Sequence, residues 1–230
     1  NNLLSSPDTT FLNVLSGLAN SQWKPMVMLL RSGRLYASQE TRHLAYDTFQ
    51  QSYKTYLYQW SYTLDALKAA RKSLYRGNPI LDPRQTKFDS QVRQGALEKW
   101  VEAWGRTLGG ELGAKVAKPI GVTLGMPMRI VGASDEFLKT MMFKGRAAAA
   151  IDVQIKKQYP EIYTNRAEYH KKFNEEMAKY IDEHGRATSQ YKLKGRGDAT
   201  NVDDFLQYAR EGSYTNALEG QGAGAAILAF

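Results

Sequence analysis

The stretch MPMRIVGASDEFLKTMMFKGRAAAAIDVQIKK, Met126 to Lys157, decides the fold. Ile130, Phe137, Leu138, Met141, Met142, Ala148, Ile151 and Ile155 recur mostly at steps of three and four, the α-helical period, while Asp135, Glu136, Lys139 and Lys144 take other sides. The spacing predicts one long helix. Pro127 suits its first turn, where a missing N–H leaves nothing unpaired, and Ala147 to Ala150 leave room for a neighbouring helix to come close. Phe137, Met141 and Ala148 are its candidate packing residues. Nothing in the stretch reads as catalytic.

Immediately upstream, a small residue stands at every fourth position: Gly105, Gly109, Gly113, Ala117, Gly121 and Gly125. Held in a helix, these form one bare ridge along which another backbone can pack, the small-xxx-small pattern of membrane helix pairs. Pro119 breaks the ridge, and Arg106, Glu111, Lys115 and Lys118 intervene. Two readings stand: a soluble close-packed or bent helix, and a segment that meets lipid or a partner helix. The helix leading into the ridge starts near Asp89 and carries Leu97, Trp100, Val101, Trp104 and Leu108.

Further out, Asp8 or Thr9 caps a first helix with a broad apolar face from Phe11 to Leu30, kinked or divided at Pro25 and ended by Ser32-Gly33. A second helix, from about Glu40 to Tyr75, holds Leu44, Phe49, Tyr53, Tyr56, Leu57, Trp60, Leu64, Leu67 and Leu74. With two aromatic faces it is expected to be covered on more than one side. Its end carries Lys68, Arg71, Lys72 and Arg76, matching the negative end of the helix dipole. Gly77 to Lys87, with two prolines, is a loop. Downstream, Tyr159-Pro160 forces a turn, and Asn165 with Glu168 caps a helix that ends at His184-Gly185. Residues 185 to 197 hold Arg186, Lys192, Lys194 and Arg196 without an acid, a candidate phosphate contact or a mobile solvated loop. A short helix capped by Thr200 with Asp203 stops at Gly212.

The chain therefore reads as all-α, an extended multi-helix assembly. An N-terminal region (1–125) holds the aromatic helix and the ridge, and a C-terminal region (126–230) holds the central helix and the basic loop. The start on Asn1 and the apolar ending GAGAAILAF lead us to expect a piece of a longer polypeptide. No signal peptide is read, and Phe11 to Leu30 is too interrupted by polar residues to span a membrane.

The 230 residues carry a formal charge of +8 with pI near 9.5, which permits an anionic partner without demanding one, since the basic residues are spread out. With no cysteine there is no disulfide framework and no thiol nucleophile. His43, His170 and His184 stand apart, outside any metal-ligand spacing. Asp135 and Glu136 are adjacent, so on a helix they point about 100° apart and do not converge as a catalytic pair; a partner-facing or basic surface is their expected place. No phosphate-binding glycine loop is present. These observations predict a non-enzymatic segment with no cofactor and no metal.

Three pieces, in order from Leu3 to Ile151, carry a family resemblance. LLSSPDTTFLNVLSGLAN (Leu3 to Asn20) is similar to an LLSGPxTHxxNxxGN-type opening, NPILDPRQTKF (Asn78 to Phe88) to its mid-loop, and MPMRIVGASDEFLKTMMFKGRAAAAI to its PxRxLxAxDEFFKxxxYRAEL helix. Ser6 replaces the usual glycine, Thr10 the histidine, and Lys144-Gly145-Arg146 the YRA element. The family resembled occurs in very large phage polypeptides, including internal virion proteins that short-tailed bacteriophages eject into the host and polyvalent proteins that carry polymerase modules. The resemblance implies a helical protein of the virion interior, found in the host periplasm or inner membrane after ejection. It implies a homo-oligomer that joins other ejection proteins in a conduit for genome delivery, with DNA and the host inner membrane as further partners. Competing readings are a helical nucleic-acid-binding module, motivated by the charge and the basic loop, and an accessory domain of a virion-carried polymerase.

Overall fold

The computed structural model describes residues 7–81, 96–188 and 199–213. Seven helices are found among them: α1 (Pro7–Ala37), α2 (Arg42–Ser61), α3 (Thr63–Arg76), α4 (Ala96–Gln158), α5 (Pro160–Thr164), α6 (Arg166–Tyr180) and α7 (Ala199–Gly212). The fold is all-α, and the described residues include no strand, only an isolated antiparallel bridge between Ile181 and Ala187.

The centre is the part of α4 from Leu138 to Ile155. Leu138, Met141, Met142, Phe143, Ala147, Ala148, Ala149, Ile151 and Ile155 are all buried. Every other described helix touches α4. Phe173 and Tyr180 of α6 and Val202, Phe205 and Ala209 of α7 close one side, with Phe143 set edge-on against Phe205 at 6.2 Å between ring centres. The opposite side admits α2 through small residues: a Cβ placed on Gly145 would lie 2.8 Å from the backbone nitrogen of Gln59, so only a hydrogen fits there.

α2 and α3 are nearly one rod. The Tyr62 N–H still bonds the Tyr58 carbonyl (3.1 Å) and the Ala66 N–H bonds the Tyr62 carbonyl (2.9 Å), so the break at Tyr62 is a local loosening within the single helix predicted. The rod buries Ala45, Ser52, Thr55, Gln59, Ala66 and Ser73, small or polar side chains, where it packs against α1 and α4. Gly77, at φ 64°, caps α3 by donating its N–H to the Ser73 carbonyl at 2.7 Å.

Several expected boundaries move. α1 runs through Pro25 and past Gly33 to Ala37 without dividing. The central helix does not begin at Pro127, because the helix containing it starts after Gly110 and passes through both Pro119 and Pro127. The carbonyls those prolines leave without their helical partner belong to Lys115 and Thr123, both exposed residues, and the helix continues through both. The division at residues 125 and 126 falls inside that helix. Asn165 does cap α6, its Oδ1 accepting the Ala167 N–H at 3.2 Å, but α6 ends at Tyr180 rather than at His184-Gly185.

Candidate docking surfaces

Gly109 (φ −139°, ψ 19°) and Gly110 (φ 58°, ψ −142°) leave helical geometry and turn the chain back on itself. Gly110 sits where only glycine is comfortable. The proof of reversal is the ion pair of Glu98 with Arg129, which a straight helix would hold about 46 Å apart. α4 is thus an αα-hairpin, its first arm (96–108) lying antiparallel along the start of its second arm (111–158).

The ridge residues form the inside of this hairpin. A Cβ on Gly113 would run into the Gly105 carbonyl, and one on Gly105 would meet Ala117 and lie 2.5 Å from the Gly113 carbonyl oxygen. A Cβ on Gly121 would lie 3.0 Å from the Glu98 Cα, and one on Gly125 would lie 3.2 Å from Glu98 Oε1. Gly109 is in open space at the turn, so it shapes the hairpin without packing. The backbone these small residues admit is the chain's own. At the base, Arg129 grips both Glu98 oxygens, Nη2 reaching Oε2 at 2.6 Å, and its Nη1 donates to the carbonyls of Leu74 (2.9 Å) and Tyr75 (3.2 Å). The hairpin is thereby fastened to the end of α3.

With the small residues turned inward, the large ones face out. Trp100, Trp104 and Leu108 on the first arm and Leu112, Val116 and Ile120 on the second are between 52% and 76% exposed. They flank a groove of about 570 Å³ floored by Gly105, Gly113 and Ala117. The two tryptophans stack with ring centres 6.2 Å apart. α2 and α3 carry a second surface of this kind: Tyr46, Phe49, Tyr53, Leu57, Trp60, Leu64 and Leu67 repeat every three or four residues and are between 48% and 71% exposed. The second helix is thus covered on more than one side, by α1 and α4 and by the α6 rings of Tyr169 and Phe173 at Tyr58, while this aromatic row stays open.

The remaining candidate residues are placed differently. Met141 and Ala148 are buried in the core, and Phe137 packs beside Ala66, Leu138 and Met141, so all three meet the chain itself. Arg186 is exposed in a tight turn, where its N–H bonds Asp182 Oδ1 at 2.7 Å; Lys192, Lys194 and Arg196 lie outside the described residues. Asp135 and Glu136 are not on a partner-facing surface. Asp135 pairs with the buried Lys139 at 2.6 Å, and Glu136, 2% exposed, accepts the Leu81 N–H at 2.6 Å. Burial pushes the Glu136 carboxyl up to about 7, opposed by the N–H groups of Leu81 and Ile80 and by Lys139. This carboxylate clamps the loop after α3 to α4, and Leu81 in turn accepts the Ala187 N–H at 2.8 Å.

A second polar knot joins α2, α4 and α6. Asp152 receives Lys54 at 2.7 Å and the Tyr169 hydroxyl at 2.8 Å, and Tyr169 meets the Tyr58 hydroxyl at 3.2 Å. Burial pushes Tyr58 up to about 12, so both phenols stay neutral. Tyr58, Tyr169 and Asp152 are joined by hydrogen bonds and Lys54 by its ion pair alone, an arrangement that suits a fixing role. Sequence reading missed the knot, the clamp and the exposed rows; the doublet Gly109-Gly110 was the available signal for the rows, since two adjacent glycines favour a turn.

Among the described residues no group of three or more His, Asp or Glu is placed to hold a metal, and no helix is long and apolar enough to cross a membrane. No family model, curated protein or solved structure matches this chain.

Proposed function

We propose that this chain is a non-catalytic assembly segment, built to pack through exposed apolar helix faces against further copies of itself and other parts of a larger protein. The observation that carries the reading is the pair of surfaces just described. Isolated exposed leucines are ordinary on a protein, but contiguous aromatic and aliphatic rows mark places where something else sits. The setting comes from the sequence resemblance: an internal virion protein of a short-tailed phage, ejected and assembled into a conduit for genome delivery in the host envelope.

The test is sedimentation of the 230-residue chain over a wide range of concentration and salt. Assembly by apolar burial gives a mass that rises with concentration and persists at high salt, since kosmotropic salts strengthen burial. A nucleic-acid-binding module would instead remain a monomer and bind DNA with an affinity that falls steeply as salt rises. A strictly monomeric chain at all concentrations would sink the proposal.

A further inference from the structure

We infer that the exposed face of the α4 hairpin is covered by the same face of a second copy, the four arms making a four-helix bundle about a two-fold axis. This rests on the assembly reading above and names which surface does the pairing.

The hairpin has the form of half a bundle. Contacts of Gly105 with Gly113 and Ala117, and of Glu98 with Gly121, set the level of one arm against the other. Leu108 then stands beside Leu112, Trp104 beside Val116, and Trp100 beside Ile120. Each layer takes one large apolar residue from each arm, and successive layers are one helical turn apart, which is how a four-helix bundle stacks its core. The charged residues Lys99, Glu102, Arg106, Glu111, Lys115 and Lys118 all lie off these layer positions, and Glu102 and Arg106 are paired within their own arm at 3.4 Å. A two-fold mate meets no charge in the layers.

Area and shape agree. Six side chains this exposed present on the order of 700 Å² of apolar surface, close to the roughly 800 Å² each partner contributes to a stable complex. The groove of about 570 Å³ lies between the two rows over a floor without bulky side chains, so the ridges of a second hairpin have a depression to enter. A first arm of 13 residues (96–108) is about 20 Å long, shorter than a bilayer core of about 30 Å, so these rows do not make a spanning pair.

The experiment compares the intact chain with Leu112→Glu, Trp104→Glu and, on the other surface, Trp60→Glu. All three positions are exposed, so the monomer keeps its fold, and circular dichroism verifies this. Sedimentation equilibrium is expected to show the dimer constant weakened about 100-fold by either hairpin change and unaltered by Trp60→Glu. Association abolished by Trp60→Glu but retained by both hairpin variants would overturn the inference while leaving the assembly reading intact. A monomeric parent chain would overturn both. A monomeric parent that binds vesicles of neutral and anionic phospholipid, with binding lost in the hairpin variants, would overturn it in favour of lipid.

Discussion

The two halves of α4 use small residues in the same way and end in opposite conditions. In the lower half, Gly145 brings α2 close, and the large residues of that stretch, Met142, Phe143 and Ile151, are covered in the core with α6 and α7. In the hairpin, Gly105, Gly113 and Ala117 bring one arm against the other, and the large residues Trp100, Trp104, Leu108 and Leu112 are covered by nothing in the described chain. A stripe of small residues says where two backbones meet. It says nothing of what covers the large side chains displaced to other faces, and that second layer separates a core from a docking surface.

The largest expected effect lies in the lower half. Gly145→Leu must push Gln59 and its backbone away, because a Cβ there already sits 2.9 Å from the Gln59 Cα. We expect a global loss of about 3 kcal/mol or more, read as a lowered denaturation midpoint with protection from hydrogen exchange falling across α2 and α4 together. Gly113→Leu should do the same locally, since its Cβ collides with the Gly105 carbonyl. The expected loss is about 2 kcal/mol, confined to faster exchange in residues 96–125 while the body keeps its protection. Equal, global losses from both variants would dissolve the distinction between the halves.

The Glu136 clamp gives a pH-dependent effect of similar size. Its carboxyl is raised from 4.5 to about 7 in the folded chain, so the stability it contributes is complete below about 4.5 and is lost as the pH rises through 7. Glu136→Gln keeps the acceptor for the Leu81 N–H and removes the titration. Between pH 5 and pH 8 the parent chain should therefore lose about 2 kcal/mol relative to the variant in urea denaturation. Parallel stability profiles would show that the buried carboxylate is ionised at little expense, and the clamp would then be solvated.

The helical class was legible from period alone, because Leu138, Met141, Ile151 and Ile155 repeat on one face and the structure buries that face. The hairpin was hidden by its own regularity: the fourth-residue spacing of small residues runs through Gly109 without a break, so it reads as one ridge on one helix. Pro119 and Pro127 were read as a break and a start, yet the helix runs through both and the break in it falls at Gly109 and Gly110. In α2 and α3 the inside and outside could not be told apart by pattern, since Ser52, Gln59, Ala66 and Ser73 repeat as regularly as Tyr46, Tyr53, Trp60 and Leu67. Hydrophobicity points the wrong way there, because close approach to Gly145 selects for size rather than polarity. The burial of Glu136 depends on the loop at Ile80 and Leu81, a tertiary contact that local spacing does not encode.

The smallest expected effect sharpens the comparison most. Leu138 and Leu112 lie on the same arm of α4, 1% and 76% exposed. Leu138→Ala should cost the monomer about 3 kcal/mol, the usual loss for a buried leucine. Leu112→Ala removes no buried contact and installs the better helix former, so at low protein concentration its stability should stay within about 0.5 kcal/mol of the parent, on the favourable side if it moves. At high concentration the order should reverse. If the hairpin face is covered by a second copy, the parent gains stability with concentration by mass action, and Leu112→Ala, having given up part of that face, gains less. Thermal denaturation of both chains across a thousand-fold range of concentration would show the two curves crossing. Curves that stay parallel throughout would mean that Leu112 meets water in every state of the protein, and the hairpin would then be an exposed surface with no mate of its own kind.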